Sequence, residues 1–421
     1  MTPSAVDSHA LRFPAARAAS RRLTGVDGVR ALACLWVFAS HASVLPALAG
    51  HAPRLLRLGG MGVPVFFVLS GFLLSIPFWQ ARATNHALPP LGPYFLRRLA
   101  RIIPAYFACI LILTVALNLW ASKWNLVEVF TCLTFTSHLF PATYTPRFDG
   151  PLWSVSVEMW FYVLLPLAAW LGCRAPTRSL ARLFIVVMMA DLALAQTAYL
   201  HLAPLIEKSA GLPAYLFHAT ASSTTKNVPT LFAQFLAGVL AADVYLSLSR
   251  TAKAGVRVGD PQSRPLRAFN RFDVVVLVSL AIILLGLQGV LRWPALASMG
   301  YGWPTFQLLI GTLLVCLPLS ARAGRLFDLA PLRLTATLSY GIYIWHMPAM
   351  DLLGRIWPTA SLSTFQSLVW IAGAFAGAYL LAALSYYTLE RPILRWMEGR
   401  LRPAAPVAGR LTTAIPRQAA A

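Results

Sequence analysis

The sequence predicts an all-α, polytopic membrane protein with about ten transmembrane helices and both termini in the cytoplasm. Of its 421 residues, 58% are hydrophobic and 12% are charged, whereas soluble domains average about 25% charged residues. The apolar residues are gathered in segments long enough to cross a hydrocarbon core about 30 Å thick. Basic residues lie between these segments, so topology explains the formal charge of +21 without a nucleic-acid partner.

Ten apolar segments define this topology, each close to the roughly 20 residues that a spanning helix needs. Their predicted limits are 28–48, 62–80, 102–120, 155–172, 181–200, 228–248, 272–291, 304–321, 335–354 and 365–388. They form one membrane domain at 23–395, flanked by predicted disordered cytoplasmic tails at 1–22 and 396–421. The five cysteines have neither metal-ligand spacing nor a disulfide pattern, so no metal site is predicted.

The positions of Lys and Arg orient the spans. With the N-terminus inside and strict alternation, a minority of the 35 basic residues lie outside: Arg54, Arg57, Lys123, Arg147, Lys208, Lys226, Arg292 and Arg355. The others lie in cytoplasmic loops and tails, as the bias of Lys and Arg towards the cytoplasmic side requires. Anionic lipid headgroups of the bilayer are therefore the expected bulk partner.

The first span carries two basic side chains, Arg30 and His41. Eleven steps of about 100° bring both within about 20° of one helix face, roughly 16 Å apart along the axis. If Arg30 lies at the membrane surface, His41 lies near mid-depth, where an ionisable group indicates a functional site. The alternative is a buried histidine that is hydrogen-bonded to a neighbouring helix.

The entrance to the second span is rich in glycine, at Gly59, Gly60 and Gly62. Glycines at this density allow helices to approach closely. Packing is the favoured interpretation over a phosphate-binding loop, because no strand precedes the glycines.

Three arginines, Arg97, Arg98 and Arg101, precede the third span at the predicted inner surface. Arg98 and Arg101 share a helical face because they are three residues apart. Guanidinium groups bind phosphates with paired donors, so an anion site is one interpretation. A basic anchor that only fixes topology is the other.

Two acidic side chains within the spans are singled out. Glu158 lies a turn or more into the fourth span from its outer end, between Trp153 and Trp160, a combination that suits a sugar-like acceptor. The alternative is an interfacial aromatic belt with an acid at a helix start. Asp191 lies mid-way along the fifth span and has no assigned role.

The ninth span places a second histidine at the depth of the first. His346 is about twelve residues, roughly 18 Å, from the inner end of its span, close to the depth predicted for His41. Two histidines at one depth on two spans favour a functional role more than either histidine does alone. At the end of the tenth span, Glu390 can pair with an arginine.

Six blocks in this order resemble the acyltransferase 3 family of integral-membrane acyltransferases. They are Gly28-Val29-Arg30-Ala31-Leu32 with the gap to His41, GGMGVPVFFVLSGFLLS at 59–75, FLRRLARIIPAYF at 95–107, PLWSVSVEMWFY at 151–162, LSYGIYIWHMP at 338–348, and Glu390-Arg391-Pro392. The resemblance covers residues 23 to 395. It implies O-acyl transfer, often of acetyl, from cytoplasmic acyl-CoA to carbohydrates or related acceptors at a bacterial inner membrane.

The resemblance also implies roles for the residues singled out above. Arg97, Arg98 and Arg101 would hold the phosphates of acyl-CoA, which is a donor substrate and not a permanently bound cofactor. His41 would be the general base, His346 would orient it or polarise the carbonyl, and Glu158 would bind the acceptor hydroxyl on the outer side. Arg30 would hold an anionic part of the donor or pair with a carboxylate.

Alternatives remain at this point. Acyl-His41 or acyl-Cys34 intermediates are less favoured than direct transfer. A multi-span transporter or flippase would also have charged groups within the membrane, but it predicts repeat symmetry that the sequence lacks. A non-catalytic scaffold would tolerate loss of His41. The acyl group, the acceptor and the oligomeric state are not predicted.

Overall fold

The computed structural model describes residues 22–46, 54–140, 143–174, 182, 186, 228–254, 270–292 and 304–401. All regular secondary structure in these ranges is helical, as predicted. The helices are α1 (Val26–Ala42), α2 (Gly62–Thr84), α3 (Leu91–Ala116), α4 (Lys123–Leu133), α5 (Leu152–Arg174), α6 (Val228–Ala254), α7 (Arg271–Arg292), α8 (Pro304–Cys316), α9 (Ala330–Ile356), α10 (Thr364–Ser385) and α11 (Arg391–Leu401). A π-helical turn, Tyr386–Glu390, joins α10 to α11.

Helices coincide with the predicted spans except for 181–200, which lies outside the described residues apart from residues 182 and 186, and Asp191 lies outside them too. Within the described part, four helical segments are long and apolar enough to cross a membrane: Gly59–Thr84, Leu91–Ala116, Leu152–Trp170 and Thr364–Leu401. A count of ten crossings and cytoplasmic termini therefore stay predictions. α11 continues to Leu401, past the predicted end of the membrane domain.

The predicted first span, 28–48, is wrong at its end, because α1 stops at Ala42. The Ser43 hydroxyl donates to the Ser40 carbonyl at 2.8 Å, and the Ser43 N–H caps the last turn. Pro46 disfavours helical geometry at the residue before it. His41 therefore lies in the last turn of α1 instead of inside a longer helix.

Glycines set how closely the first helices pack. A Cβ on Gly71 of α2 would lie 2.1 Å from the Phe235 carbonyl oxygen, and one on Gly238 of α6 would lie 2.0 Å from that of Val68. Gly59 and Gly62 similarly approach the carbonyls of α1. The packing role predicted for the glycines at the entrance of the second span is thus confirmed, and α2 is held between α1 and α6.

Helix α9 lies between α1 and α10. The Cys34 thiol of α1 donates to the Ser339 carbonyl of α9 at 3.5 Å. On its other side, Gly341 of α9 approaches Ala382 of α10 so closely that a Cβ would lie 3.0 Å from it. One face of α9 therefore contacts α1 and another contacts α10, and side chains of α9 contribute to the candidate site.

Candidate active site

An arginine cavity of about 100 Å³ opens among α1, α2, α3, α5 and α9. Its polar lining comes from Arg30, Ser70, Arg98, Arg101, Ser154, Glu158, Tyr162, Ser339, Tyr340 and Tyr343. Residues from five separate helices therefore converge on one space. The Ser154 and Tyr343 hydroxyls, 2.7 Å apart, link α5 to α9 at its wall.

The arginine cavity has an excess of positive charge. Arg98 and Arg101 both line it, as their shared helical face predicts, whereas Arg97 is exposed and absent from the lining. Among the described residues, no salt bridge joins Arg30, Arg98 or Arg101 to a carboxylate, and the buried Nε of Arg98 has no hydrogen-bond partner. Partly buried like charges repel unless an anion joins them, so this cavity is suited to an anionic ligand.

Glu158 lines this same cavity beside the arginines instead of lying apart from them. Helix α5 begins at Leu152, so Glu158 lies about two turns after the start of the helix. Its Oε1 accepts hydrogen bonds from the Ser70 hydroxyl at 2.7 Å and the Tyr162 hydroxyl at 2.6 Å. The carboxylate is held in place by α2 and by its own helix, facing the guanidinium groups.

Glu390 lies near this cavity but does not line it. It is buried in the π-helical turn, and its Oε1 accepts from the Ser385 hydroxyl at 3.4 Å. Arg101 is its charged neighbour. The predicted pairing of Glu390 with an arginine thus takes the form of a longer-range attraction, since no salt bridge within 4.0 Å joins them in the described part of the chain.

The two predicted histidines meet. His346 Nε2 of α9 lies 3.1 Å from His41 Nδ1 of α1, and the ring centroids are 5.0 Å apart. His346 is almost fully buried, with 1% of its surface exposed, against Phe38 and Tyr343. The pairing confirms that the two side chains lie at one level of the helix bundle.

Hydrogen bonds assign the tautomers of this histidine pair. Nδ1 of His346 lies 2.7 Å from the Tyr343 carbonyl oxygen, so it carries the proton and donates. In a neutral ring, Nε2 then holds the lone pair and accepts from Nδ1–H of His41. That proton also points to the Val37 carbonyl oxygen at 3.1 Å. Nε2 of His41 is left with its lone pair available and no partner among the described residues.

His41 also lines a second space, the histidine cavity, of about 480 Å³. Its lining is Val44, Leu45 and Pro46 beyond α1, Met347, Met350, Asp351, Gly354 and Arg355 of α9, Thr359, and Trp370 of α10. The arginine cavity and the histidine cavity lie towards opposite ends of α1 and along one side of α9. The histidine pair lies between them.

Cys34 takes no part in either cavity lining. Its thiol is 1% exposed and donates to a backbone carbonyl, so no path leads a reactant to it. Sequence reasoning missed Ser70, Tyr162 and Tyr343. The spacing of Tyr162 four residues after Glu158 places both on one helix face, so it could have been found from the sequence. Within the described residues, no cluster of three or more His, Cys, Asp or Glu could hold a metal ion.

Comparison with known proteins gives distant relatives that match most of this chain. The chain is 25% identical over 406 residues to BcsY of Komagataeibacter xylinus, provisionally named a membrane-bound transacylase, covering 92% of this chain and 86% of that protein. It is 25% identical over 387 residues to YrhL of Bacillus subtilis, provisionally named a peptidoglycan O-acetyltransferase, and 24% identical over 398 residues to the peptidoglycan O-acetyltransferase OatA of Listeria monocytogenes. These two matches cover 89% and 90% of this chain but only 55% and 56% of those proteins. No solved structure is significantly similar to the chain.

The apolar helices and these relatives identify an integral membrane protein. A family model described as an acyltransferase domain matches residues 23–387. The matched region contains Arg30, His41, Glu158 and His346. The chain therefore belongs to the acyltransferase 3 family, and it is an acyltransferase.

Proposed function

We propose that the protein transfers an acyl group, most simply acetyl, from cytoplasmic acyl-CoA to a hydroxyl group of a carbohydrate or glycolipid acceptor. The observation that carries the proposal is the hydrogen bond between His41 Nδ1–H and His346 Nε2. It fixes the tautomer in which His41 Nε2 can take a proton, which is the property required of a general base. The location is the inner membrane of a bacterium.

The donor binds in the arginine cavity. Coenzyme A carries several phosphate groups, and three guanidinium groups without described salt-bridge partners supply charge-assisted donors for them. Arg30, Arg98 and Arg101 hold the phosphates, while Arg97 lies outside this group because it is exposed. Glu158 contributes by orienting Ser70 and Tyr162 and by spacing the arginines electrostatically, so its role shifts from the acceptor to the donor.

The acyl-pantetheine arm extends along α9 towards the histidine pair. Ser339 and Tyr343 line the arginine cavity, and the Tyr343 ring centroid lies 5.9 Å from that of His346. The distance along α1 from Arg30 to His41 is roughly 16 Å, which an extended arm can bridge. The thioester carbonyl thereby reaches His41 from the side of the arginine cavity.

In the transfer step, the acceptor hydroxyl gives its proton to His41 Nε2 as its oxygen attacks the thioester carbonyl carbon. The new C–O bond forms, the C–S bond breaks, and the proton passes from His41 to the leaving sulfur to give free coenzyme A. His346 holds the His41 ring and accepts the hydrogen bond that stabilises the transient imidazolium.

Direct transfer is favoured over an acyl-enzyme. The cavities lie towards opposite ends of α1 with the histidine pair between them, so donor and acceptor can be bound together. The buried Cys34 thiol contacts neither cavity. The names of YrhL and OatA support acetyl as the acyl group and a glycan as the acceptor.

The test is acetyl transfer from radiolabelled acetyl-CoA in membranes that contain the protein, with the glycans of the expressing host as acceptors. Wild type and His86→Ala, a change of an exposed histidine, are expected to label glycan, and His41→Ala is expected to lose labelling at equal abundance. Equal labelling by His41→Ala would show that the base is another group. No labelling by wild type would overturn the proposed donor or acceptor.

A further inference from the structure

We infer that the histidine cavity is the acceptor subsite, and that Asp351 and Arg355 hold a sugar unit in it with one hydroxyl against His41 Nε2. This rests on the proposed function, and it assigns the acceptor to residues that the sequence blocks do not contain. The ligand class is an uncharged sugar residue of a glycan or glycolipid.

The cavity is built against the free side of His41. Val44, Leu45 and Pro46, beyond the end of α1, form one wall, and the last turns of α9 form the facing wall. Because α1 ends at Ala42, His41 lies in its last turn and is exposed to this space. A hydroxyl group that enters the cavity can therefore reach the His41 ring.

Two charged side chains on α9 have open hydrogen-bonding capacity in this cavity. Asp351 and Arg355 are one helical turn apart and attract each other electrostatically. They form no salt bridge within 4.0 Å, and neither makes a hydrogen bond to any other described residue. Carboxylate oxygens accept from sugar hydroxyls, and guanidinium groups donate to sugar oxygens, so the pair complements a polyhydroxylated ligand.

Trp370 gives this cavity a fixed aromatic wall. The side chain is 4% exposed, and its indole N–H donates to the Trp357 carbonyl oxygen at 3.2 Å, which fixes the plane of the ring. Aromatic faces cover the apolar C–H faces of sugars, while the polar groups around them fix orientation. The facing Met347 and Met350 adapt to the remainder of the ligand.

The two cavities differ in the charge of their lining side chains, and this difference assigns one substrate to each. The arginine cavity carries three guanidinium groups against one lining carboxylate, whereas the histidine cavity has one of each. An anionic donor is thus favoured at one end of α1 and an uncharged acceptor at the other. This division explains how one catalytic pair can serve two substrates without their exchanging sites.

The experiment follows the fate of the acyl group in the same membranes, with labelled acetyl-CoA as the donor probe and host glycan as the acceptor. Two products are measured, labelled glycan and labelled free acetate formed by transfer to water. Asp351→Asn removes one charge and keeps the side-chain shape. Gly354→Leu narrows the cavity beside Trp370, where a Cβ would have 3.9 Å of room. Glu398→Gln, at an exposed carboxylate on α11, is the matched control.

Asp351→Asn and Gly354→Leu are expected to lower the ratio of labelled glycan to labelled acetate about tenfold or more, the first by removing a charged hydrogen bond and the second by filling space that the sugar occupies. The concentration of acetyl-CoA at half-maximal rate should stay within about twofold of wild type, which loss of folding would not produce. Glu398→Gln should match wild type. An unchanged ratio in both variants, with wild type active, would overturn the subsite alone. An inactive wild type would overturn the proposed function, and this inference with it.

Discussion

The arginine cavity and the histidine cavity share α9 but are constructed differently. Five helices converge on the first, and hydrogen bonds tie its carboxylate, Glu158, to Ser70 and Tyr162. The second lies at the end of α1. Its charged side chains, Asp351 and Arg355, form no salt bridge or hydrogen bond with the described residues. The arginine cavity is therefore preorganised by its own hydrogen bonds, whereas the polar groups of the histidine cavity gain hydrogen bonds only when a ligand binds.

The largest effect is expected where the two cavities meet. His346→Phe removes the acceptor that fixes the His41 tautomer, so we expect the rate of transfer at saturating substrates to fall about a hundredfold. His346→Gln should restore part of the rate, because its amide oxygen can accept from His41 Nδ1–H. Equal rates for the Phe and Gln variants would contradict an orienting role.

Substitution of the arginines that line the arginine cavity should affect binding of the donor and not of the acceptor. Arg98→Ala or Arg101→Ala is expected to raise the KM for acyl-CoA about tenfold to a hundredfold, because each removes a charge-assisted donor. The glycan-to-water ratio defined above should not change. Arg97→Ala is the matched control, since this exposed side chain is absent from the lining. If Arg97→Ala raised the KM for acyl-CoA more than Arg98→Ala or Arg101→Ala, the donor would bind outside the arginine cavity.

The helix crossing beside Ser70 offers a packing test of the arginine cavity. Gly71→Ala puts a methyl group 2.1 Å from the Phe235 carbonyl oxygen, so α2 and α6 must separate. We expect a loss of about 1 to 3 kcal/mol of stability, measured by thermal unfolding in detergent. Gly286→Ala, with nothing within 4 Å of the added Cβ, should be neutral. In Gly71→Ala, the fold-increase in the KM for acyl-CoA should exceed the fold-change in the ratio of labelled glycan to labelled acetate.

The smallest effect on acyl transfer is expected at Asp149, which precedes α5 and lines neither cavity. Burial raises the pKa of Asp149 well above its ordinary range, the charge of Asp351 raises it further, and a hydrogen bond from the Cys109 thiol acts in the opposite direction. The folded state therefore holds a proton that the unfolded state releases, and stability falls as pH rises above the unfolded value of about 3.9.

Asp149→Asn removes this pH-dependent loss. The stability of the variant relative to wild type should increase from about pH 4 to pH 7. The measurement is the difference in melting temperature between variant and wild type at each of the two pH values. The double change with Asp351→Asn should show a smaller gain, because one source of the raised pKa is already absent. A variant whose relative stability does not depend on pH would show that Asp149 ionises normally.

Much of the local structure followed from the sequence. Apolar length predicted the helices, spacing predicted the common face of Arg98 and Arg101, and rise per residue predicted that His41 and His346 lie at one depth. Helical periodicity and rise are properties of the backbone, so residue positions convert directly into faces and heights. The packing role of the entrance glycines followed in the same way, because only glycine permits such close approach.

The tertiary structure alone decided which side chains share a space. It placed Glu158 with the arginines, excluded Arg97, fixed the tautomers of the histidine pair, and opened a second cavity at Asp351, Arg355 and Trp370. These outcomes depend on where one helix ends and on how pairs of helices cross. Contacts between residues hundreds of positions apart carry no local sequence period, so only the packed chain reveals them.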